Sequence, residues 1–151
     1  MARLHETLDT ALPPEEAFAF VADFANAPAW DPGTVAAERL DAGPVGVGAR
    51  YRLQVRMGGR TAPMQYRIVT FEPSHRVVLV GEGSNVTARD EIRFDPAPGG
   101  GTHVDYQADI RLGGWMRVLS PVAGGALRRI GQDARAGMQR ALDARARGTA
   151  A

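Results

Sequence analysis

Ala49-Arg50-Tyr51-Arg52-Leu53-Gln54-Val55-Arg56-Met57 decides the fold of this chain. Tyr51, Leu53, Val55 and Met57 fall on one side of an extended backbone, and Arg50, Arg52, Gln54 and Arg56 on the other. A period of two with one apolar row predicts a half-buried strand. The same reading extends outward in both directions. After the Gly58-Gly59 turn, 61–71 places Met64, Tyr66 and Ile68 opposite Gln65 and Arg67. Beyond Glu72-Pro73-Ser74-His75 comes an apolar run at 76–82, and beyond Gly83-Ser84-Asn85 an alternating run at 86–94. The glycine-rich stretch 95–101 leads to 102–112, which turns Val104, Tyr106, Ala108, Ile110 and Leu112 inward. Upstream, 34–41 and 4–12 read as strands too, the latter with Leu4, Glu6, Leu8, Thr10 and Leu12 on one face. Seven strands, mostly joined by tight turns, predict one antiparallel sheet.

The remaining segments carry the helical period. Pro13-Pro14-Glu15-Glu16 opens a helix with proline and acids in its first turn, and Asn26-Ala27-Pro28 starts a second short one that Asp31-Pro32-Gly33 stops after Trp30. Ser120-Pro121 then reads as a cap and first helical residue. From there Leu119, Val122, Ala126, Leu127, Ile130, Ala134, Met138 and Leu142 recur at steps of three and four. This predicts a long amphipathic helix of about 25 residues ending near Arg147-Gly148. The domain expected is 1–147, with 148–151 a frayed tail.

Composition sets the limits. A chain of 151 residues with 44% hydrophobic and 23% charged side chains suits one soluble domain able to bury a core. A net charge of +1 gives no field to steer nucleic acid, and no nucleic-acid partner is expected. All eighteen basic residues are arginine and there is no cysteine, which excludes a Schiff-base lysine, a thiolate nucleophile and disulfides. The start, Met-Ala-Arg-Leu-His-Glu, has no apolar leader, and the longest uncharged stretch, Val118 to Leu127, is too short to span a bilayer. A cytoplasmic protein without a membrane span is expected; the oligomeric state is not legible.

One long helix cannot fill the whole width of a twisted seven-stranded sheet. Gly124 and Gly125 near its start either admit a strand closely or leave a void. An apolar cavity gripped between sheet and helix is therefore expected. Leu12-Pro-Pro-Glu-Glu-Ala-Phe18, Ala22-Asp23-Phe24, Trp30-Asp31-Pro32, Gly43-Pro-Val-Gly-Val-Gly48-Ala-Arg-Tyr51, Tyr106-Gln-Ala-Asp-Ile-Arg-Leu112-Gly and Ser120-Pro121 with its arginine-rich helix resemble the polyketide cyclase/dehydrase branch of the SRPBCC (START-like, helix-grip) superfamily. The resemblance spans roughly residues 3 to 146. It implies an α+β helix-grip fold, a seven-stranded antiparallel sheet curled around the C-terminal helix with two short helices after strand 1. It also implies a cavity for hydrophobic or aromatic small molecules, without a motif common to all members that would specify catalysis.

Asp90 shares an apolar face with Val86, Ala88, Ile92 and Phe94. A carboxyl there is either a structural group bonded to an arginine or tyrosine, or an acid/base poised by desolvation, with Tyr106 as its catalytic partner. Tyr51, Tyr66 and Tyr106 all point inward, either forming a polar tip to the cavity or reaching solvent at its rim. The expected cavity lining is Tyr51, Leu53, Val55, Met64, Tyr66, Ile68, Ala88, Asp90, Ile92, Tyr106, Trp115, Leu127 and Ile130, with Trp115 at the mouth and Trp30 a core plug. Met57, Met64, Met116 and Met138 are supple enough to fill the space instead. Glu6, though on the inward register, is expected to reach out at an edge. His5, His75 and His103 lack ligand spacing, so no metal and no other cofactor is expected. Gly46-Val-Gly48 and Gly81-Glu-Gly83 read as turn glycines, and the Arg50, Arg52 and Arg56 row as a solvated face.

Two functions follow from these residues and the resemblance. One is binding of a polyketide- or lipid-like molecule, with cofactor-independent cyclase, aromatase or dehydratase chemistry as its sharper form. The other is a non-catalytic interaction or lipid/quinone-chaperone module working through its outer surface.

Overall fold

The computed structural model describes residues 2–149, with side-chain surroundings described except at 115, 118–124 and 149. Strand β1 (Ala2–Thr10) is followed by α1 (Pro14–Ala22), a single 3-10 turn (Phe24–Asn26) and α2 (Ala27–Trp30). Five strands then follow in sequence: β2 (Thr34–Arg39), β3 (Arg50–Met57), β4 (Arg60–Glu72), β5 (Arg76–Gly83) and β6 (Val86–Pro96). After β7 (Thr102–Leu112), a 3-10 segment (Gly114–Leu119) runs into α3 (Ser120–Thr149). The seven strands form one antiparallel sheet in the order β1-β7-β6-β5-β4-β3-β2, so β2 to β7 are a meander and β1 closes beside β7. This is the helix-grip architecture expected. The alternation misplaced some ends: β1 starts and stops two residues earlier than 4–12, β2 stops at Arg39 rather than 41, and α3 is 30 residues long. The β1 correction has a cause, since the chain bends after Thr10 to bury Leu12, whose carbonyl accepts from Thr102 Oγ1 at 2.6 Å.

Local chemistry explains the turns. β3 and β4 are joined by Gly58-Gly59, and Gly58 takes φ +66°, a conformation that costs glycine little. Register shifts at Val35 and Val69 place an extra residue in β2 and β4, and such bulges bend a sheet. The concave face carries Tyr51, Leu53, Met64, Tyr66, Ile68, Leu79, Ile92 and Phe94, all buried. Phe18 of α1 meets Phe71 and Phe94 edge to face at 5.1 and 5.3 Å, closing one end of the sheet. Trp30 plugs the floor under the short helices as expected, 2% exposed, with its ring edge-on to Phe24 and Tyr106 at 6.0 Å each.

The second half of α3 is fixed against β1 and α2. Met138 and Leu142 are buried, and Gly137 lies so close to the Trp30 carbonyl that a Cβ there would collide with it. β1 is an edge strand, and α3 satisfies two of its outward carbonyls. Arg135 Nε donates to the Thr7 oxygen at 2.8 Å and Gln139 Nε2 to the Asp9 oxygen at 2.6 Å, while Thr10 Oγ1 donates to Asp143 Oδ1 at 2.9 Å. The helix thereby covers an edge that would otherwise be open to pairing. Toward its start the described side chains are less enclosed: Gly125, Ala126, Arg128, Arg129 and Ile130 are exposed and Leu127 is half-buried.

Candidate functional site

Three neighbouring strands bring polar groups to one place on the concave face. Glu6 of β1 stands directly opposite Tyr106 of β7, and Tyr106 in turn stands opposite Ile92 of β6. Asp90, two residues before Ile92, shares its face and is therefore the diagonal neighbour of Tyr106. The Tyr106 hydroxyl donates to Asp90 Oδ2 at 2.5 Å. Asp31 arrives from the end of α2. Its two oxygens accept from the Gly33 amide and from Thr34 Oγ1, each at 2.9 Å, which is the turn that stops the helix.

The environment sets the protonation of these groups. Asp90 is 5% exposed, and burial raises its carboxyl to about 7, against the pull of the Tyr106 hydrogen bond and with help from the charges of Asp31 and Asp109. Burial also raises the Asp31 carboxyl, opposed by its bonds from Gly33 and Thr34. The Tyr106 and Tyr66 hydroxyls are pushed well above the ordinary phenol value by burial and then by the Asp90 charge. Asp90 is thus a carboxyl able to hold or release a proton near neutrality, and Tyr106 is the donor that touches it.

A pocket of about 50 Å³ opens between β1, β7 and α3 at this point. Its apolar walls are Leu4, Leu8, Val104, Ile130, Ala134 and Met138, and its polar groups are Glu6, Asp31, Tyr106 and Arg135. Gly131 completes the helix side; a Cβ there would lie 3.5 Å from Glu6 Oε1 and Leu4 Cδ2. The structure places the sequence-derived lining residues in three groups. Tyr106 and Ile130 line the pocket. Asp90 lies behind Tyr106, while Tyr51, Leu53, Met64, Tyr66, Ile68, Ala88 and Ile92 are packed into the core; Val55 and Leu127 are half-buried, and none of these ten lines the pocket. The Trp115 side chain lies outside the described residues.

Asp31, Gly131, Arg135 and Met138 were not singled out as lining by sequence, and Glu6 was read as pointing away. Its inward register beside Leu4 and Leu8 was the available signal, whereas nothing local marks Asp31, which joins the pocket through tertiary contact. Among the described residues no three His, Asp or Glu side chains are grouped to hold a metal ion. His5 and His103 instead pair with Asp105 and Asp9 at 3.0 and 2.7 Å on the outer surface.

The curled sheet gripping a C-terminal helix, with a pocket between them, defines a START-like fold. The chain belongs to the family described as polyketide cyclase / dehydrase and lipid transport, whose model matches residues 1–147. Similar solved structures include the Zhui aromatase/cyclase from Streptomyces sp. R1128, with TM-score 0.78 and 16% identity over 99% of this chain and 96% of that one. A START superfamily protein from Mycobacterium smegmatis is similar with TM-score 0.74 and 17% identity, covering 97% and 98% of the two chains. No curated protein matches the sequence. No described helix is long and apolar enough to cross a membrane.

Proposed function

We propose that this protein binds a hydrophobic or aromatic small molecule, polyketide- or lipid-like, between the curled sheet and α3. One observation carries the reading: the pocket has mostly apolar walls with a few polar groups, among them Tyr106, whose hydroxyl is tied to buried Asp90. That is the make-up of a small-molecule site. Drug-sized ligands fill roughly 300–1,000 Å³, so one of that size requires α3 to shift outward from its present position. The exposed side chains at 125, 126 and 128–130 mark the half of the helix with less to lose in that movement.

Acid–base chemistry on the bound molecule is the second reading, favoured by the Asp90 carboxyl standing at about 7 in contact with Tyr106. In a cyclisation or dehydration, a protonated Asp90 would pass its proton to the Tyr106 oxygen as Tyr106 gives its own to a ligand oxygen, and the Asp90 carboxylate left behind would take back, through Tyr106, the proton the ligand loses from carbon. Native mass spectrometry of the purified protein, with extraction of anything bound, tests the binding function. A co-purified apolar or aromatic molecule is expected. A protein at its bare mass that also takes up no apolar fluorophore would overturn it. Turnover of the identified molecule by the wild type and not by Asp90→Asn, with binding kept, would establish the chemistry.

A further inference from the structure

The charge of this chain is unevenly spread. Residues 42–71, from the loop after β2 through most of β4, hold five of the eighteen arginines and none of the seventeen acids. That stretch carries +5, and the other residues, with thirteen arginines against seventeen acids, −4. All five side chains are exposed. Arg50 stands directly opposite Arg67, a like-charge pairing that costs stability; Arg52 and Arg56 share their convex face, and Arg60 follows the hairpin turn. The neighbouring acids leave most of this charge uncompensated. Glu38 takes Arg52 at 3.1 Å, while Asp41 is bonded to Arg39 and, at 3.4 Å, to the Arg50 amide rather than its guanidinium. Arg56 Nε donates to the Pro32 carbonyl, and among the described residues Arg50, Arg56, Arg60, Arg67 and the nearby Glu82 form no ion pair.

Apolar groups flank the same strands. Of the three large hydrophobics exposed among the described residues, two border β3: Val35 on β2 and Val47 in the loop before β3. Val47, 70% exposed, is held out by a braced loop. Arg39 donates to the Gly43 and Pro44 carbonyls at 2.6 and 3.2 Å, and the Gly48 amide to the Ile68 carbonyl at 2.9 Å, one residue from Arg67.

We infer that the convex face of β3 and β4, with the Val47 loop at its edge, docks this protein reversibly on an anionic bilayer surface. Each unpaired arginine is drawn to acidic headgroups, and an exposed valine beside them sinks into the interface. At physiological salt charges act over about 8 Å, so the local +5 and not the net +1 decides. A protein partner would need a desolvated apolar or aromatic anchor, and single-stranded nucleic acid would need rings between the cations. Gln54, Thr61, Pro63 and Gln65, the outward residues between these arginines, supply neither. The face lies toward the opposite edge of the sheet from the pocket, so the inference does not depend on what the pocket holds.

Sedimentation with phosphatidylcholine vesicles, with and without about 30% phosphatidylglycerol, tests this at low and high sodium chloride. Binding to the anionic vesicles alone is expected, weakening at least tenfold at high salt. Arg50→Gln with Arg67→Gln should lower it roughly twentyfold, and either change alone about fivefold. Removing exposed like charges that face each other should leave the melting temperature unchanged or higher, so lost binding is not lost folding. Val47→Ser should weaken binding about threefold. Arg128→Gln with Arg129→Gln, an equal loss of exposed charge on α3, should alter it less than about twofold. No binding to the anionic vesicles, equal binding to neutral ones, insensitivity to salt, or an α3 variant weakened as much as the hairpin variant would each overturn the inference.

Discussion

Tyr106 and Asp90, diagonal neighbours on β7 and β6, are joined by a 2.5 Å hydrogen bond that separates a solvent-reachable pocket from a buried carboxyl. The phenol is the only described link through a hydrogen bond to Asp90, so the state of one group is felt by the other.

The first consequence is a pH dependence of folding. Asp90 holds its proton up to about 7 when folded and to about 3.8 when unperturbed, so the folded protein binds it more tightly. That contribution is fully present below about pH 4 and is lost as the pH rises through about 7, a change on the order of 4 kcal/mol. Asp90→Asn cannot ionise. Its stability relative to wild type should therefore climb between pH 4 and pH 8, measured by chemical denaturation at each pH. Parallel curves for the two proteins would show that Asp90 does not titrate in this range.

Tyr106→Phe removes the donor and leaves the carboxyl with less to stabilise its charge. The bond lowers the Asp90 carboxyl, so its loss should raise that group further. The variant should lose about 1–3 kcal/mol above pH 7.5 and less at pH 5, where Asp90 is protonated in both proteins. Equal losses at the two pH values would contradict the assignment.

Two glycines of α3 should respond oppositely to the same change. Gly131→Ala adds a methyl at ordinary contact distance, 3.5 Å from Glu6 Oε1 and Leu4 Cδ2, and should stabilise the helix by up to about 1 kcal/mol while shrinking the pocket. Gly137→Ala drives a methyl into the Trp30 carbonyl and should destabilise by about 1–3 kcal/mol. Melting temperatures distinguish them, and weaker uptake of an apolar probe by the more stable Gly131→Ala protein would mark the pocket as the binding site.

On the convex face Glu91 accepts from Arg76, Arg93 and Arg89 at 2.8, 3.0 and 3.4 Å, and Arg76 above all holds its carboxyl below the usual value. Stability from this group is present above its ordinary range near pH 4.5 and is lost as pH falls through the lowered value. The arginines are 28–55% exposed, so Glu91→Gln should cost no more than about 1 kcal/mol at pH 7. The cost should shrink in 1 M salt; a cost above 2 kcal/mol that salt does not change would indicate a buried role.

Most of the sheet could be read directly because the direction of a strand side chain is a local property. Tyr51, Leu53, Met64, Tyr66 and Ile92 lie on the face that alternation assigned them, and Asp90 is buried among them as its register demanded. The errors came where a partner outside the segment decides. β1 ends at Thr10 because Leu12 is drawn into the core, and Glu6 lies at the pocket because α3 presents glycine to it at 131.

The sequence by itself therefore determined the strands, their faces, the turns, the long helix and the presence of a carboxyl and three tyrosines on the apolar side. All of these follow from backbone periodicity and from residues a few positions apart. Only the tertiary structure decided which tyrosine meets Asp90, which carboxylates flank the pocket, and how much space α3 leaves. That space depends on Gly137 resting on the Trp30 carbonyl and on Arg135 and Gln139 reaching the carbonyls of β1, contacts between residues more than 100 positions apart. The distance between a helix and the sheet it covers is set by such contacts, and no local period encodes it.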